Sequence, residues 1–315
     1  MMLLFAFLAV IVGLSLLTYG ADRLIIGACV LARRAKVSEA VVGATIVAGG
    51  TSLPELVASL VSALDNQFGL SVGNVVGSNI FNIGAILGPV ALIAPLVVAK
   101  MIARFDWWVM AVITFIFCVI AVLFGSLSSW FCGGFFIAWL FYIAWSVRSG
   151  HGAEEATLER PESMALPLAF LWIVAGIALL AGGGYLLVWG AVRLAQAAGV
   201  SDAIIGLTIV AAGTSMPELV TSLLAARRGQ HQIAVANIVG SNTFNLMLVI
   251  GVTGLFGRLP IAEEILHRDI WWMMGFALLL PFLWGRKLVL SRLAGGILLG
   301  GYLVYLGILI RSAVR

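Results

Sequence analysis

Charge is scarce in this sequence: 14 acidic and 18 basic side chains make up only 10% of 315 residues, where soluble domains carry about a quarter. With 62% hydrophobic residues, that scarcity excludes a soluble globule. Cysteine is nearly absent. Cys29, Cys118 and Cys132 lie in apolar runs with no paired or metal-ligand spacing, so no disulfide framework is expected and the three read as small packing residues. The three histidines, His151, His231 and His267, fall in loops and leave no histidine proton relay. Clusters of one sign are missing too. The formal charge is +4, but Lys and Arg stand singly at segment ends, which excludes a nucleic-acid patch and makes them reporters of membrane orientation. No feature marks a cofactor or an obligatory protein partner.

What is present is a succession of apolar blocks of about 20 residues or more, each long enough to cross a bilayer as a helix. Ten spans are predicted, at 3–32, 40–64, 71–95, 106–124, 129–147, 166–197, 203–226, 232–256, 270–285 and 290–310. The expected fold class is an all-α polytopic membrane protein, with the lipid bilayer as its surroundings. No basic stretch precedes the first run, so it reads as a retained helix, not a cleaved signal. The longest polar stretch, Arg148 to Ser163, divides the chain into a first five-helix unit (1–147), a short linker (148–165) and a second five-helix unit (166–315).

The two units are copies. Residues 43–57, GATIVAGGTSLPELV, return as 206–220, GLTIVAAGTSMPELV, and 74–82, NVVGSNIFN, return as 237–245, NIVGSNTFN. Both lie at an offset of 163 residues (218 − 55, 245 − 82). Upstream, GADRL at 20–24 matches GAVRL at 190–194 at an offset of 170. Because five is odd, the second copy enters the membrane from the opposite side, and the copies are expected to be inverted about an axis in the membrane plane. Twelve basic residues, from Arg33 and Arg34 to Arg292, collect on one side, whereas the other has Arg258, Arg268, Arg311 and Arg315. The rich side is expected to be cytoplasmic, with both termini outside a plasma membrane, or inner membrane in a bacterium.

Asp22, Glu55 and Glu218 lie well inside apolar runs. A carboxylate there costs about 2.5–3.5 kcal/mol on insertion scales and is a functional candidate by default. Asp22 has Arg23 beside it and only Val192 at the equivalent position, so it reads as a local ion pair outside the site. Glu55 and Glu218 are equivalent under the repeat and are expected to face one another. Pro54 and Pro217 should break their helices, freeing carbonyls around Ala48 and Ala211, and Ser52 to Glu55 and Ser215 to Glu218 read as capping boxes. Ser52, Glu55, Ser59 and Ser62 form one polar stripe, with Ser215, Glu218 and Ser222 as its copy. Asn74, Ser78 and Asn82 form another, copied by Asn237, Ser241 and Asn245. Asn79 and Asn242 point off these stripes and read as structural. Oxygens without thiolate or imidazole suit a hard cation such as Ca²⁺ and disfavour Zn²⁺ or Cu⁺.

The paired stretches GTSLPE with GSNIFN and GTSMPE with GSNTFN resemble the two α-repeats of the calcium/cation antiporter superfamily, in its sodium/calcium exchanger branch. The likeness is strongest over 41–88 and 204–251. It implies exchange of several Na⁺ for one Ca²⁺ by alternating access, through ten helices in which the second, third, seventh and eighth are broken. Carried over by position, it implies Glu55 and Glu218 as shared carboxylates, with Thr51, Ser52, Thr214 and Ser215 lining the site. Ser78, Asn82, Ser241 and Asn245 would complete it, and Ala48 and Ala211 would offer carbonyls. The long first and sixth helices would slide against the rest, eased by Gly182, Gly183 and Gly184. Some relatives carry Asp where this chain has Asn245, so no K⁺ requirement is expected. The short linker leaves no room for a soluble calcium-sensing domain.

Competing readings are proton/calcium exchange, with the two glutamates taking protons, and a cation channel. The proton-coupled branch usually carries Gly-Asn-x-x-Glu at the first motif, and a channel needs a continuous pore. A bland alternative makes Ser59, Ser62 and Ser222 mere interface residues and the glutamates protonated structural groups.

Overall fold

The computed structural model of the chain describes residues 2–149, 164–199 and 211–313. Most of the linker and the start of the seventh expected span, 203–210, lie outside the described residues. The helices are α1 (Met2–Ala35), α2 (Glu39–Thr51), α3 (Leu53–Leu64), α4 (Phe68–Ile93), α5 (Ile102–Phe124), α6 (Ser129–Ser149), α7 (Leu166–Ala197), α8 (Ala211–Gly213), α9 (Met216–Arg227), α10 (His231–Thr253), α11 (Ile270–Trp284) and α12 (Arg292–Ala313). Among the described residues, seven helices are long and apolar enough to cross a membrane, and the bent pair α2 and α3 makes eight. Of the ten spans expected, 203–226 begins outside the described residues and 270–285 is a 15-residue helix preceded by the π-helical turn Ile265–Asp269.

The expected break in the second span is real: α2 and α3 meet at 43°. Ser52 sits between them at φ −87°, ψ 6°, and Ser215 ahead of α9 at φ −88°, ψ 7°. Pro54 and Pro217 then fall in the first turn of α3 and α9, where a missing N–H leaves no helical bond unmade. The third and eighth spans differ from expectation. α4 and α10 run on without a break, each widened by a π-helical turn, Asn82–Leu87 and Asn245–Val249. Neither carries a proline at its centre, so nothing forces the chain to part.

Contacts recur with the halves exchanged. The strand pair Leu96–Val97 with Val289–Leu290 matches Leu96 to Leu290; its counterpart, Ser126–Leu127 with Leu259–Pro260, matches Leu127 to Leu259. Each residue has moved by 163 positions (259 − 96, 290 − 127). α1 and α7 pack antiparallel along glycines, with Gly13 against Gly183, Gly20 against Gly176 and Gly190 against Ala6. Of the glycine triplet at 182–184, only Gly183 enters this seam; Gly182 faces open space and Gly184 looks toward Gly213 and Pro217. α10 is enclosed on every side, whereas α1, α5 and α12 turn Leu, Ile, Val and Phe outward. The outward apolar surface is what contact with lipid requires. Cys29, Cys118 and Cys132 are free and buried.

Candidate functional site

Two acids sit at the centre of this arrangement. Glu55 and Glu218, in the first turns of α3 and α9, are both 0% exposed. No basic side chain among the described residues forms an ion pair with either. The shortest hydrogen bonds they receive come from the opposite half. Ser52 Oγ donates to Glu218 Oε1 at 2.8 Å, and Ser215 Oγ donates to Glu55 Oε1 at 3.0 Å. This overturns the capping-box reading: neither serine caps its own helix, because the better acceptor is a buried carboxylate across the interface. Since Ser52 lies three residues from Glu55, the exchange brings the two carboxylates together.

Ser241 Oγ adds a longer contact to Glu218 Oε1, 3.4 Å. The Thr51 hydroxyl lies 3.2 Å from both the Ala48 carbonyl and Asn237 Oδ1. The Ala48 carbonyl differs from expectation, since it accepts from the Ser52 N–H at 3.0 Å and faces Thr51 Oγ1. It is engaged, because the chain turns at Ser52 and so closes one last helical hydrogen bond. Ala211 opens α8 at the border of the described residues. Thr214 is described, with its Oγ1 buried and unpartnered.

Six buried oxygens of the expected set make no hydrogen bond within the protein: Glu55 Oε2, Glu218 Oε2, Ser78 Oγ, Asn82 Oδ1, Asn245 Oδ1 and Thr214 Oγ1. The turn starting at Asn82 packs against α9, which carries Glu218, and the turn starting at Asn245 packs against α3, which carries Glu55. Buried polar atoms are ordinarily satisfied, and uncompensated carboxylates carry a heavier cost than neutral groups. An anionic, oxygen-only centre of this kind can hold a hard cation.

Other stripe residues hold the frame. Asn74 Nδ2 donates to Ser59 Oγ at 3.0 Å and to the Glu55 carbonyl at 3.3 Å; Asn237 Nδ2 repeats both contacts with Ser222 (3.0 Å) and the Glu218 carbonyl (3.5 Å). Ser59 and Ser222 therefore serve the helix interface, and Ser62 is only half-buried. Asp22 meets Arg23 at 3.4 Å, as expected, and also Arg228 at the end of α9, beside an open cleft of about 500 Å³. The second partner ties α1 to α9 and was not visible from sequence, because it lies 206 residues away. Asp22→Asn is expected to leave Ca²⁺ affinity within about threefold of wild type by isothermal titration, since a partly exposed pair contributes little.

Sequence reasoning also missed a duplicated acid–tyrosine pair. Tyr142 donates to Asp106 Oδ1 at 3.1 Å and Tyr305 to Asp269 Oδ1 at 3.3 Å. Both acids stand at or just before the starts of expected spans (106–124 and 270–285), yet Asp106 is fully buried. Their shared offset of 163 (269 − 106, 305 − 142) was the available signal.

Fold and site together define a multi-pass helical membrane protein built around a duplicated acidic centre. The chain belongs to the sodium/calcium exchanger protein family, which it matches over residues 5–148 and again over 168–311. It is similar to the putative antiporter CaxA of Alkalimonas amylolytica, 36% identical over 98% of this chain and 100% of that one. The sodium/calcium exchanger MaX1 of Methanosarcina acetivorans is 32% identical over 96% of this chain and 98% of its own length. Among solved structures, the sodium-calcium exchanger NCX_Mj soaked with 10 mM Na⁺ and zero Ca²⁺ superposes with a TM-score of 0.84 at 31% identity, covering 97% of this chain and 99% of that one.

Proposed function

We propose that the protein is a secondary antiporter that exchanges Na⁺ for Ca²⁺ by alternating access through one shared acidic site, in a scaffold of two inverted five-helix repeats. The single observation that carries this reading is the set of six unpartnered buried oxygens around two uncompensated carboxylates. Glu55 and Glu218 supply the charge, and Ser78, Asn82, Thr214 and Asn245 supply neutral oxygens. Thr51, Ser52, Ser215 and Ser241 line the same centre and hold the carboxylates in place. Ala211 and Ala48 would add carbonyls, the one at Ala48 also accepting from the Ser52 N–H. The relatives named above, one called a putative antiporter and two called sodium/calcium exchangers, support the choice of ions.

Charge arithmetic gives the cycle a signature. Two carboxylates neutralise one Ca²⁺, whereas about three Na⁺ in their place leave a net charge of about +1, so turnover carries current. Asn245 adds no third carboxylate, which supports exchange without K⁺. The basic side faces the cytoplasm and both termini lie outside.

The test is Ca²⁺ uptake into proteoliposomes. An outward Na⁺ gradient is expected to drive uptake that responds to membrane potential and persists when K⁺ is replaced by choline. Uptake driven by a pH gradient alone would favour proton/calcium exchange, and unitary currents would favour a channel.

A further inference from the structure

Four asparagines from the two halves interlock between α4 and α10. Asn79 Nδ2 donates to the main-chain carbonyl of Asn242 at 3.3 Å, and Asn242 Nδ2 donates to that of Asn79 at 3.1 Å. Asn82 Nδ2 donates to Asn242 Oδ1 at 3.0 Å, and Asn245 Nδ2 donates to Asn79 Oδ1 at 3.1 Å. A carboxamide can exchange its nitrogen and oxygen by turning about its last bond, so its direction must follow from its partners.

Here the partners allow one direction only. A main-chain carbonyl can accept but cannot donate, so Asn79 and Asn242 must turn their nitrogens toward those carbonyls. Their Oδ1 atoms then face Asn245 and Asn82, which must answer with nitrogen. The atom left over on Asn82 and on Asn245 is Oδ1, and both are buried without a partner in the protein. A flip of either would aim an NH₂ group, with its partial positive charge, at the position a cation would take.

We infer that Asn79 and Asn242 are positioning residues for the cation site, each fixing the carboxamide of Asn245 or Asn82 in the opposite half so that oxygen faces the ion. The inference rests on the cation-site reading above. It assigns a task to two residues that touch no ion: they set the polarity of a ligand. It also makes the two halves interdependent, since the ligand on each is oriented by the other.

A double-mutant cycle tests this on the full-length purified protein, with Ca²⁺ as the probe in isothermal titration. Asn79→Ala is expected to weaken Ca²⁺ binding about tenfold, the loss of one directed hydrogen bond at an ion ligand. In an Asn245→Ala background the same change should cost less than about twofold, because the group it orients is gone. A purely structural role would lower affinity equally in both backgrounds, and that result would overturn the inference, as would undiminished affinity in Asn79→Ala. The mirror cycle, Asn242→Ala with Asn82→Ala, provides the same reading if Asn79→Ala does not fold. Wild-type protein that binds neither Ca²⁺ nor Na⁺ would instead remove the cation-site reading itself.

Discussion

Glu55→Gln is expected to lower Ca²⁺ affinity at least about 100-fold, and Glu218→Gln to do the same. Each substitution preserves volume and one carbonyl oxygen but halves the charge of a fully buried centre. Removing one partner from a buried ionic contact costs about 3–5 kcal/mol, which corresponds to roughly 100-fold or more in affinity. The protein itself is expected to tolerate the change. In the ion-free state the two carboxylates lie close together with no basic partner among the described residues, so neutralising one relieves repulsion. Thermal unfolding without Ca²⁺ should therefore occur at the same temperature or higher in the variant. A variant that binds Ca²⁺ normally would remove Glu55 from the site.

The second large effect concerns motion instead of binding. A methyl group at Gly13 would lie 2.7 Å from the Leu187 main-chain nitrogen and 2.8 Å from the Gly183 carbonyl oxygen. Backbone atoms cannot move aside as a flexible side chain can, so α1 and α7 would be forced apart along their seam. Gly13→Ala is expected to slow Na⁺-driven Ca²⁺ uptake at least about tenfold while leaving equilibrium Ca²⁺ affinity within about threefold. The two are separable because the hydrogen bonds to Glu55 and Glu218 come from Ser52, Ser215 and Ser241, none of them on α1 or α7. Equal losses of uptake and affinity would mean that the seam supports the site and does not govern its opening.

The sequence carried much of this site in legible form because the signal was duplicated. One carboxylate in an apolar run is ambiguous; two at the same offset, each three residues beyond a Thr-Ser pair and directly after a proline, are not. Helix spacing was enough to separate Asn82 and Ser78 from the lipid-facing side. What could not be read was whatever depends on the partner across the interface. Ser52 looked like a cap for its own helix because Glu55 is near in sequence, whereas Glu218, 166 residues away, is its actual acceptor. Asn79 follows Ser78 by one residue and so falls off the polar stripe, and its task depends on Asn242 and Asn245 across the interface, which spacing along one helix does not show. The glycine triplet at 182–184 drew attention by its composition, but the packing seam uses a seven-residue spacing, Gly176, Gly183 and Gly190, that only the facing helix reveals. Asp106 opens an expected span, and its buried partner, Tyr142, lies 36 residues later, beyond what hydropathy shows.

Whether the two acids make one compartment or two is decided by counting bound Ca²⁺. Equilibrium dialysis of the purified wild type is expected to give one Ca²⁺ per chain, displaced by Na⁺ along a cooperative curve, and either Glu→Gln change alone should abolish that ion. Two Ca²⁺ per chain, with one surviving in each single variant, would contradict the account.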